Sequence, residues 1–313
     1  MNLSTDIYSI WFIFVFILIH RLSPHTPSDG LQQIIETWSK PANFTDGTYP
    51  WPKDFSRDIL PKPCHSHNDY SRKVPLYDAL AAGCTGVEAD IWLGKDANGT
   101  SDLLVGHTRR SLTPERTLRT GVSDMDPNAT LTLLTDFKTP NPDLYPMVHD
   151  QLSPLRSRGW LSHWNGTTKT VVPRPRTVVA TGDAPFDRIV EIPPYRDIFF
   201  DAPLNELPTN KAYTPENSYY ASISLRKAIG FMWSGRMSEK QKETVQTLIQ
   251  AAAERGLVSR FWSTPGWPVS VRNWVWSFLV ESRIGMLNVD DLVEASQWDW
   301  SWCTVAGLVL FGY

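Results

Sequence analysis

His65 and His67 lie two residues apart in Cys64-His-Ser-His-Asn-Asp-Tyr70, and Glu88 and Asp90 repeat that spacing in Gly86-Val-Glu-Ala-Asp-Ile-Trp-Leu93. In a β-strand alternate side chains share a face, so each pair projects in one direction. His107 closes Leu103-Leu-Val-Gly-His107, and Asp136 and Lys138 close Leu131-Thr-Leu-Leu-Thr-Asp-Phe-Lys138. Glu88, Asp90 and Asp136 form an all-oxygen ligand set, and hard oxygen ligands favour magnesium or calcium over zinc. A divalent ion held there would polarise a phosphoryl oxygen, with Lys138 adding positive charge beside it. His67 or His65 can serve as general base or nucleophile, and His107 as general acid to the leaving oxygen. The residues leave open which of the first two acts.

Positioning these groups requires a scaffold of alternating strands and helices. Strand candidates run over Pro63–His67, Gly86–Trp92, Thr130–Lys138, Arg176–Thr181, Asp197–Asp201, Tyr219–Ser224, Val258–Ser263 and Met286–Asp290. The clearest helices between them are Pro75–Ala82, Asp143–Arg158, Glu239–Arg255 and Val269–Ser282; the third carries Val245, Leu248, Ile249 and Ala252 at helical spacing and stops at Gly256. Strands alternating with helices imply parallel βα units, and eight of them predict a closed (β/α)8 TIM barrel spanning 59–294. The stretch from His107 to Asn128 is too weakly patterned to show a normal second helix.

Active sites of such barrels lie at the C-terminal ends of the strands. The candidate residues cluster there, as do Asp201 and Asp290, out of step with the apolar strand bodies. Burying so many carboxylates at one rim is costly unless a cation or hydrogen bonds compensate. Trp262 would reach the same rim and flank a substrate, whereas His149-Asp150 reads as a solvated helix face. A metal-dependent amidohydrolase would need further histidines after later strands, and none of the seven follows the fourth, fifth or sixth. A glycoside hydrolase would leave the paired histidines unexplained. A barrel that keeps the motif but serves only as a binding or scaffold protein is the remaining alternative.

With 42% apolar residues the chain can build a full core, and a net charge of −3 without a long basic run gives no footprint for nucleic acid. Residues 7–19 are apolar, but as a helix they would rise only about 20 Å, short of a bilayer core of about 30 Å. Residues 1–20 therefore read as a signal peptide or signal anchor, with membrane association through that segment. Residues 21–58 read as a linker, and 295–313 as an apolar tail that packs on the barrel or inserts at a membrane interface. Acceptor sequons at Asn43, Asn98, Asn128 and Asn165 point to the secretory pathway and a glycoprotein. Cys64, Cys84 and Cys303 are an odd number; the first two could pair if the first strand and helix bring them close, but their apolar surroundings read first as those of small buried thiols.

Several spaced motifs also resemble a known family. His65-Ser-His-Asn-Asp-Tyr70, Gly86-Val-Glu-Ala-Asp-Ile-Trp-Leu93, Leu103-Leu-Val-Gly-His107, Leu133-Leu-Thr-Asp-Phe-Lys138 and Asn288-Val-Asp-Asp291 are similar to the fungal "altered inheritance of mitochondria" family. Asp197-Ile-Phe-Phe-Asp-Ala-Pro203 and Asn217-Ser-Tyr-Tyr-Ala-Ser222 add to the likeness. That family is related to the phospholipase-C-like phosphodiesterases, which include glycerophosphodiester phosphodiesterases and sphingomyelinase D. The resemblance implies a (β/α)8 barrel with one magnesium ion on Glu88, Asp90 and Asp136. It implies acid–base histidines at His107 and one of His65 or His67, and the Ala-His-Arg-Gly start of related enzymes favours His67. A lipid-derived or glycerol-type phosphodiester is the substrate expected. One departure is a short link from Arg119-Thr-Gly121 into Asp124–Asn128, where the family continues through a longer helical segment.

Overall fold

The computed structural model of the chain describes residues 11–18, 59, 61–72, 75–113, 130–191, 195–233 and 235–298, and two short C-terminal strands. Eight parallel strands close into a barrel: β1 (Lys62–Ser66), β2 (Cys84–Lys95), β4 (Leu131–Phe137), β7 (Arg176–Gly182), β9 (Ile198–Pro203), β10 (Ser218–Ser224), β11 (Val258–Trp262) and β12 (Met286–Val289). Closure comes from β1, which pairs with β2 on one side and β12 on the other. All eight expected strands are present, each within a few residues of its expected ends. Their near-continuous apolar runs fit strands buried on both faces.

Helices α1 (Tyr77–Ala81), α5 (Leu225–Ile229), α6 (Glu239–Glu254) and α7 (Val269–Glu281) cover the outside. Helix α6 starts at a capping box formed by Ser238 and Gln241 and buries Val245, Leu248, Ile249 and Ala252. It ends where Gly256 takes a left-handed φ of 72°. The helix expected over Asp143–Arg158 divides into α2 (Leu144–Gln151) and α3 (Ser153–Ser157). Pro154 causes this, because it has no N–H to continue the ladder and fits only a helix's first turn.

The periodicity reading missed β3 (Ser101–Val105), which folds back antiparallel on β2. Strand β2 therefore runs on to Lys95, beyond the barrel wall, and turns over Asp96, whose Oδ1 accepts from the Asn98 and Thr100 amides. A small sheet of β5 (His163–Asn165), β6 (Thr170–Val172) and β8 (Tyr195–Arg196) was also missed. It lies in the segments that enter β7 and β9, the end of the barrel opposite the strand C-termini.

The barrel interior is layered. Leu134, Val179, Tyr220 and Met286 form an apolar cluster of their own inside it, and polar groups occupy the level above. A larger core lies between strands and helices, where Val87, Ala221, Leu279 and Val289 pack with residues of α6 and α7.

Cys64 and Cys84 form a disulfide with Cα atoms 4.7 Å apart, which corrects the expectation of two buried thiols. The reason is strand adjacency: β1 and β2 pair directly, with Lys62 opposite Cys84, so the cysteines fall within bridging distance. Residues 11–18 are helical and expose Trp11, Phe12, Phe14 and Phe16. Among the described residues no helix is long and apolar enough to cross a membrane. The rest of the expected leader, the linker over 21–58, Cys303, Asn43, Asn128 and the link over 114–129 lie outside the described residues.

Candidate active site

Strands β1, β2 and β4 stand side by side, and their period-two alternation aims His65, His67, Glu88, Asp90 and Asp136 into the barrel. Glu88, Asp90 and Asp136 each offer a carboxylate oxygen, and these atoms all lie within 4.8 Å of one another. Asp90 Oδ2 sits 2.9 Å from the Tyr70 hydroxyl and 3.0 Å from both His107 Nδ1 and Lys138 Nζ. Its Oδ1 is buried and has no hydrogen-bond partner among the described residues. Lys138 also donates to Asp136 Oδ2 at 2.5 Å, so one ammonium serves two carboxylates. Burial raises the pKa of Glu88, although the charges of His67 and Arg260 oppose the shift. Burial likewise raises Asp136 against the hydrogen bond and charge of Lys138. For Lys138 burial acts downward, but its bonds and attraction to Asp136 and Asp90 outweigh it and leave the pKa raised. Three clustered carboxylates, an orphaned buried oxygen and a single shared lysine fit a divalent cation with oxygen ligands.

The hairpin of β2 and β3 explains how His107 arrives. Antiparallel register puts Val105 opposite Ile91, the Gly106 amide donates to Asp90 O, and the next residue falls on the Asp90 carboxylate. Its imidazole is otherwise largely open to solvent.

The structure separates the two histidines that the sequence left equivalent. His67 stands at the rim with Nδ1 2.7 Å from Asp290 Oδ1 and Nε2 3.6 Å from Glu88 Oε2. Burial lowers its pKa, but the Asp290 hydrogen bond and the charges of Glu88 and Asp290 reverse this and leave it raised. Asp290 is lowered in return: burial acts upward, and the bond and charge of His67 outweigh it with help from Arg72 and Arg272. His65 is 0% exposed, and neither ring nitrogen has a hydrogen-bond partner among the described residues. Burial, with Arg260 and His67 nearby, holds its pKa well below the ordinary imidazole value. Gly86 makes room for that ring, since a Cβ there would stand 2.6 Å from His65 Nδ1.

Several contributors escaped the sequence reading. The Asn68 amide donates to Glu88 Oε2 at 3.0 Å from a left-handed backbone that asparagine tolerates. The Tyr70 hydroxyl also approaches Asn68 Oδ1 at 2.6 Å, and its single proton serves one acceptor at a time. Gly182 at the end of β7 lies against Asp136 in a left-handed conformation that leaves no room for a side chain. Arg260 is buried inside the barrel and bonds Ser222 Oγ at 3.1 Å, Asn288 Oδ1 at 2.9 Å and Asp201 Oδ2 at 3.3 Å. Its signal was its spacing: Arg260 is two residues before Trp262 and shares its face. Trp262 does reach the rim, where it lines a cavity of about 650 Å³ together with Gly182, Asp201, Ser222 and Lys227. His149 is half-buried and Asp150 exposed on α2, away from these groups.

The closed parallel barrel with this group at its mouth belongs to the phosphodiesterase-type barrels. The sequence model of the AIM6-like phosphodiesterase domain matches residues 53–120 and 119–201. An altered inheritance of mitochondria protein 6 homolog of Arthroderma benhamiae is 34% identical over 282 residues, covering 79% of this chain and 87% of the relative. The altered inheritance of mitochondria protein 6 of Eremothecium gossypii is 36% identical over 268 residues, covering 74% and 68%. The chain belongs to the altered inheritance of mitochondria protein 6 family. A solved calcium-dependent phosphoinositol-specific phospholipase C from Pseudomonas superposes with a TM-score of 0.45 at 10% identity, covering 84% of this chain and 94% of that one.

Proposed function

We propose that this chain is a metal-dependent phosphoric diester hydrolase acting on a lipid-derived or glycerol-type phosphodiester. The observation that carries the reading is the ring of Glu88, Asp90 and Asp136, with oxygens within 4.8 Å of one another, flanked by two histidines that hydrogen-bond carboxylates. Hard oxygen ligands suit magnesium or calcium, and the family resemblance puts magnesium first and calcium second. When bound on those three carboxylates, the ion supplies positive charge against non-bridging phosphoryl oxygens.

The protein groups do the rest. Lys138 carries a second positive charge at the same mouth and holds Asp90 and Asp136 in place. Asp290 accepts from His67 Nδ1–H, which leaves Nε2 with a lone pair facing the site as general base. His67 takes the proton of an attacking water, or of a neighbouring substrate hydroxyl, as its oxygen bonds phosphorus. His107 is oriented by Asp90 through Nδ1 and delivers a proton to the leaving oxygen as the original P–O bond breaks. His65, sealed below in neutral form, shapes the floor of the site.

The test uses the purified full chain on a panel of phosphodiesters and lysophospholipids, with magnesium and with chelator, beside Asp90→Asn. Turnover that needs the ion and collapses in the variant supports the reading. Equal turnover in Asp90→Asn sinks the site. A folded, ion-binding protein with no turnover on any substrate would favour the binding-protein alternative.

We also propose passage through the secretory pathway. The Cys64–Cys84 disulfide suits an oxidising compartment, and the Asn98 acceptor stands exposed in the turn between β2 and β3. A glycosidase that leaves the band of the expressed protein unshifted would count against this.

A further inference from the structure

Outside the N-terminal helical stretch, six large apolar side chains are exposed among the described residues: Val171, Tyr195, Phe231, Trp233, Trp262 and Trp267. Four of them stand where two neighbouring strands end. Phe231 (61% exposed) and Trp233 (92%) follow β10 and α5, and Trp262 (40%) and Trp267 (65%) close β11 and follow it. Strands β10 and β11 pair in the barrel, so both segments leave from the end that carries Glu88, Asp90 and Asp136. The segment after α5 also packs on the helix that follows the second pair. Phe231 and Trp233 pack edge to face at 5.3 Å, and Arg236 covers Trp274 of α7, the helix entered just after Trp267. Gly235 is so close to Val271 of the same helix that a Cβ would stand 2.9 Å from it. Single exposed apolar residues need no explanation, but four exposed aromatic side chains on segments leaving one end of a barrel mark an interaction surface.

The charge around this group is mainly positive. Residues 225–243 carry Arg226, Lys227, Arg236, Lys240 and Lys242 against Glu239 and Glu243, and 263–268 carry no charge. Lys242 pairs with Glu239, whereas the other four have no ion-pair partner among the described residues. A hollow of about 520 Å³ lined by Ile229, Phe231, Trp233, Arg236, Met237 and Lys240 joins the aromatic and basic elements. Tryptophan settles at the level of lipid headgroups, and basic side chains beside it are drawn to anionic lipid.

We infer that this aromatic and basic rim is a membrane-docking surface that sets the mouth of the barrel onto a bilayer bearing anionic headgroups. The chain's own C-terminal segment is the poorer occupant, because 299–313 hold one acidic residue, Asp299, against four unpaired basic groups. Docked this way, the carboxylate ring and His107 face the phosphodiesters of the lipid surface. The inference rests on the proposed function only in taking that lipid as substrate.

Flotation of the full chain with phosphatidylcholine vesicles, with and without phosphatidylserine, tests it. Wild type binds, and binds more to the anionic vesicles. Phe231→Ser/Trp233→Ser/Trp267→Ser lowers the partition coefficient about tenfold or more, as expected for withdrawing three aromatic side chains from an apolar interface. Arg236→Gln/Lys240→Gln loses roughly fivefold per charge, and only on anionic vesicles. Val171→Ser/Tyr195→Ser matches wild type, and unchanged melting shows that each variant is folded. Wild-type partition by the triple variant would place binding elsewhere, such as the N-terminal stretch, and overturn the inference. So would a wild type that ignores both kinds of vesicle. Asp90→Asn must still bind vesicles, so a failure of the chemistry and a failure of the docking surface read out separately.

Discussion

At the mouth formed by β1, β2 and β4, Glu88, Asp90 and Asp136 cluster, one lysine serves the two aspartates, and one buried oxygen of Asp90 has no hydrogen-bond partner among the described residues. Across the barrel, between β9, β11 and β12, a single buried carboxylate, Asp201, meets a single buried guanidinium, Arg260, with Ser222 and Asn288 completing the fork. Both halves bury charge, and Asp201 Oδ1, like Asp90 Oδ1, has no hydrogen-bond partner among the described residues, but only the second half matches one carboxylate to one guanidinium. A paired buried ion is structural in consequence, because removing either partner leaves the other uncompensated. An unbalanced carboxylate group is poised for a cation from solution. On the proposed function the difference divides labour around the mouth: one side would bind and react, and the other fix the wall beside it.

Matched substitutions on the two sides break the comparison if it is wrong. Asp90→Asn should lower phosphodiester turnover by about three orders of magnitude, since it removes both a cation ligand and the anchor of His107. Steady-state assays on purified protein read this, and the melting temperature should change little. Asp201→Asn should do the reverse, lowering folding stability by about 3 kcal/mol in denaturant melts because Arg260 loses its counter-charge, with the ion site intact. If both variants lose stability alike and both keep turnover, the two halves are not different in kind.

Smaller effects sharpen the boundary. His67→Gln should cost about a hundredfold in turnover. Asp290→Asn should shift the acidic limb of the pH–rate profile to lower pH, because the carboxylate that raises the His67 pKa is gone. The mildest effect is on stability against pH. Burial raises the native pKa values of Glu88 and Asp136 above their unfolded values, so the native state holds protons longer. Their contribution in chelated protein is full below the unfolded pKa values and is lost as pH rises through the raised native ones. Asp69 is raised by burial to about 6 and acts in the same direction. Melting curves at stepped pH should therefore show the gain from added magnesium growing as pH rises. A gain that is flat, or largest in acid, would contradict the assignment.

The eight strands were legible in the sequence because each is a short apolar run bounded by turn residues, and the candidate site residues stood out because strand-end carboxylates and histidines interrupt those runs. What escaped has physical reasons. The β2–β3 hairpin turns over Asp96–Thr100, where Asn98-Gly99 is a turn signal as well as part of a glycosylation sequon, so the route that brings His107 to Asp90 lay behind a dipeptide with two readings. Arg260 looks like an ordinary surface residue until the barrel closes and Asp201, Ser222 and Asn288 arrive from three other strands. His65 and His67 have the same type and face, and only their depth distinguishes them. Cys64 and Cys84 are twenty residues apart in sequence but on paired strands, an adjacency that composition does not reveal.

The central claim is that the β1–β2–β4 half of the mouth, and not the Asp201–Arg260 half, is built for a divalent cation. Calorimetric titration of magnesium, and then calcium, into the chelator-treated full chain tests it directly when Asp90→Asn and Asp201→Asn are run alongside. The account predicts one ion per chain for wild type and Asp201→Asn, and none for Asp90→Asn. Binding that survives in Asp90→Asn, or is absent from folded wild type, would contradict it.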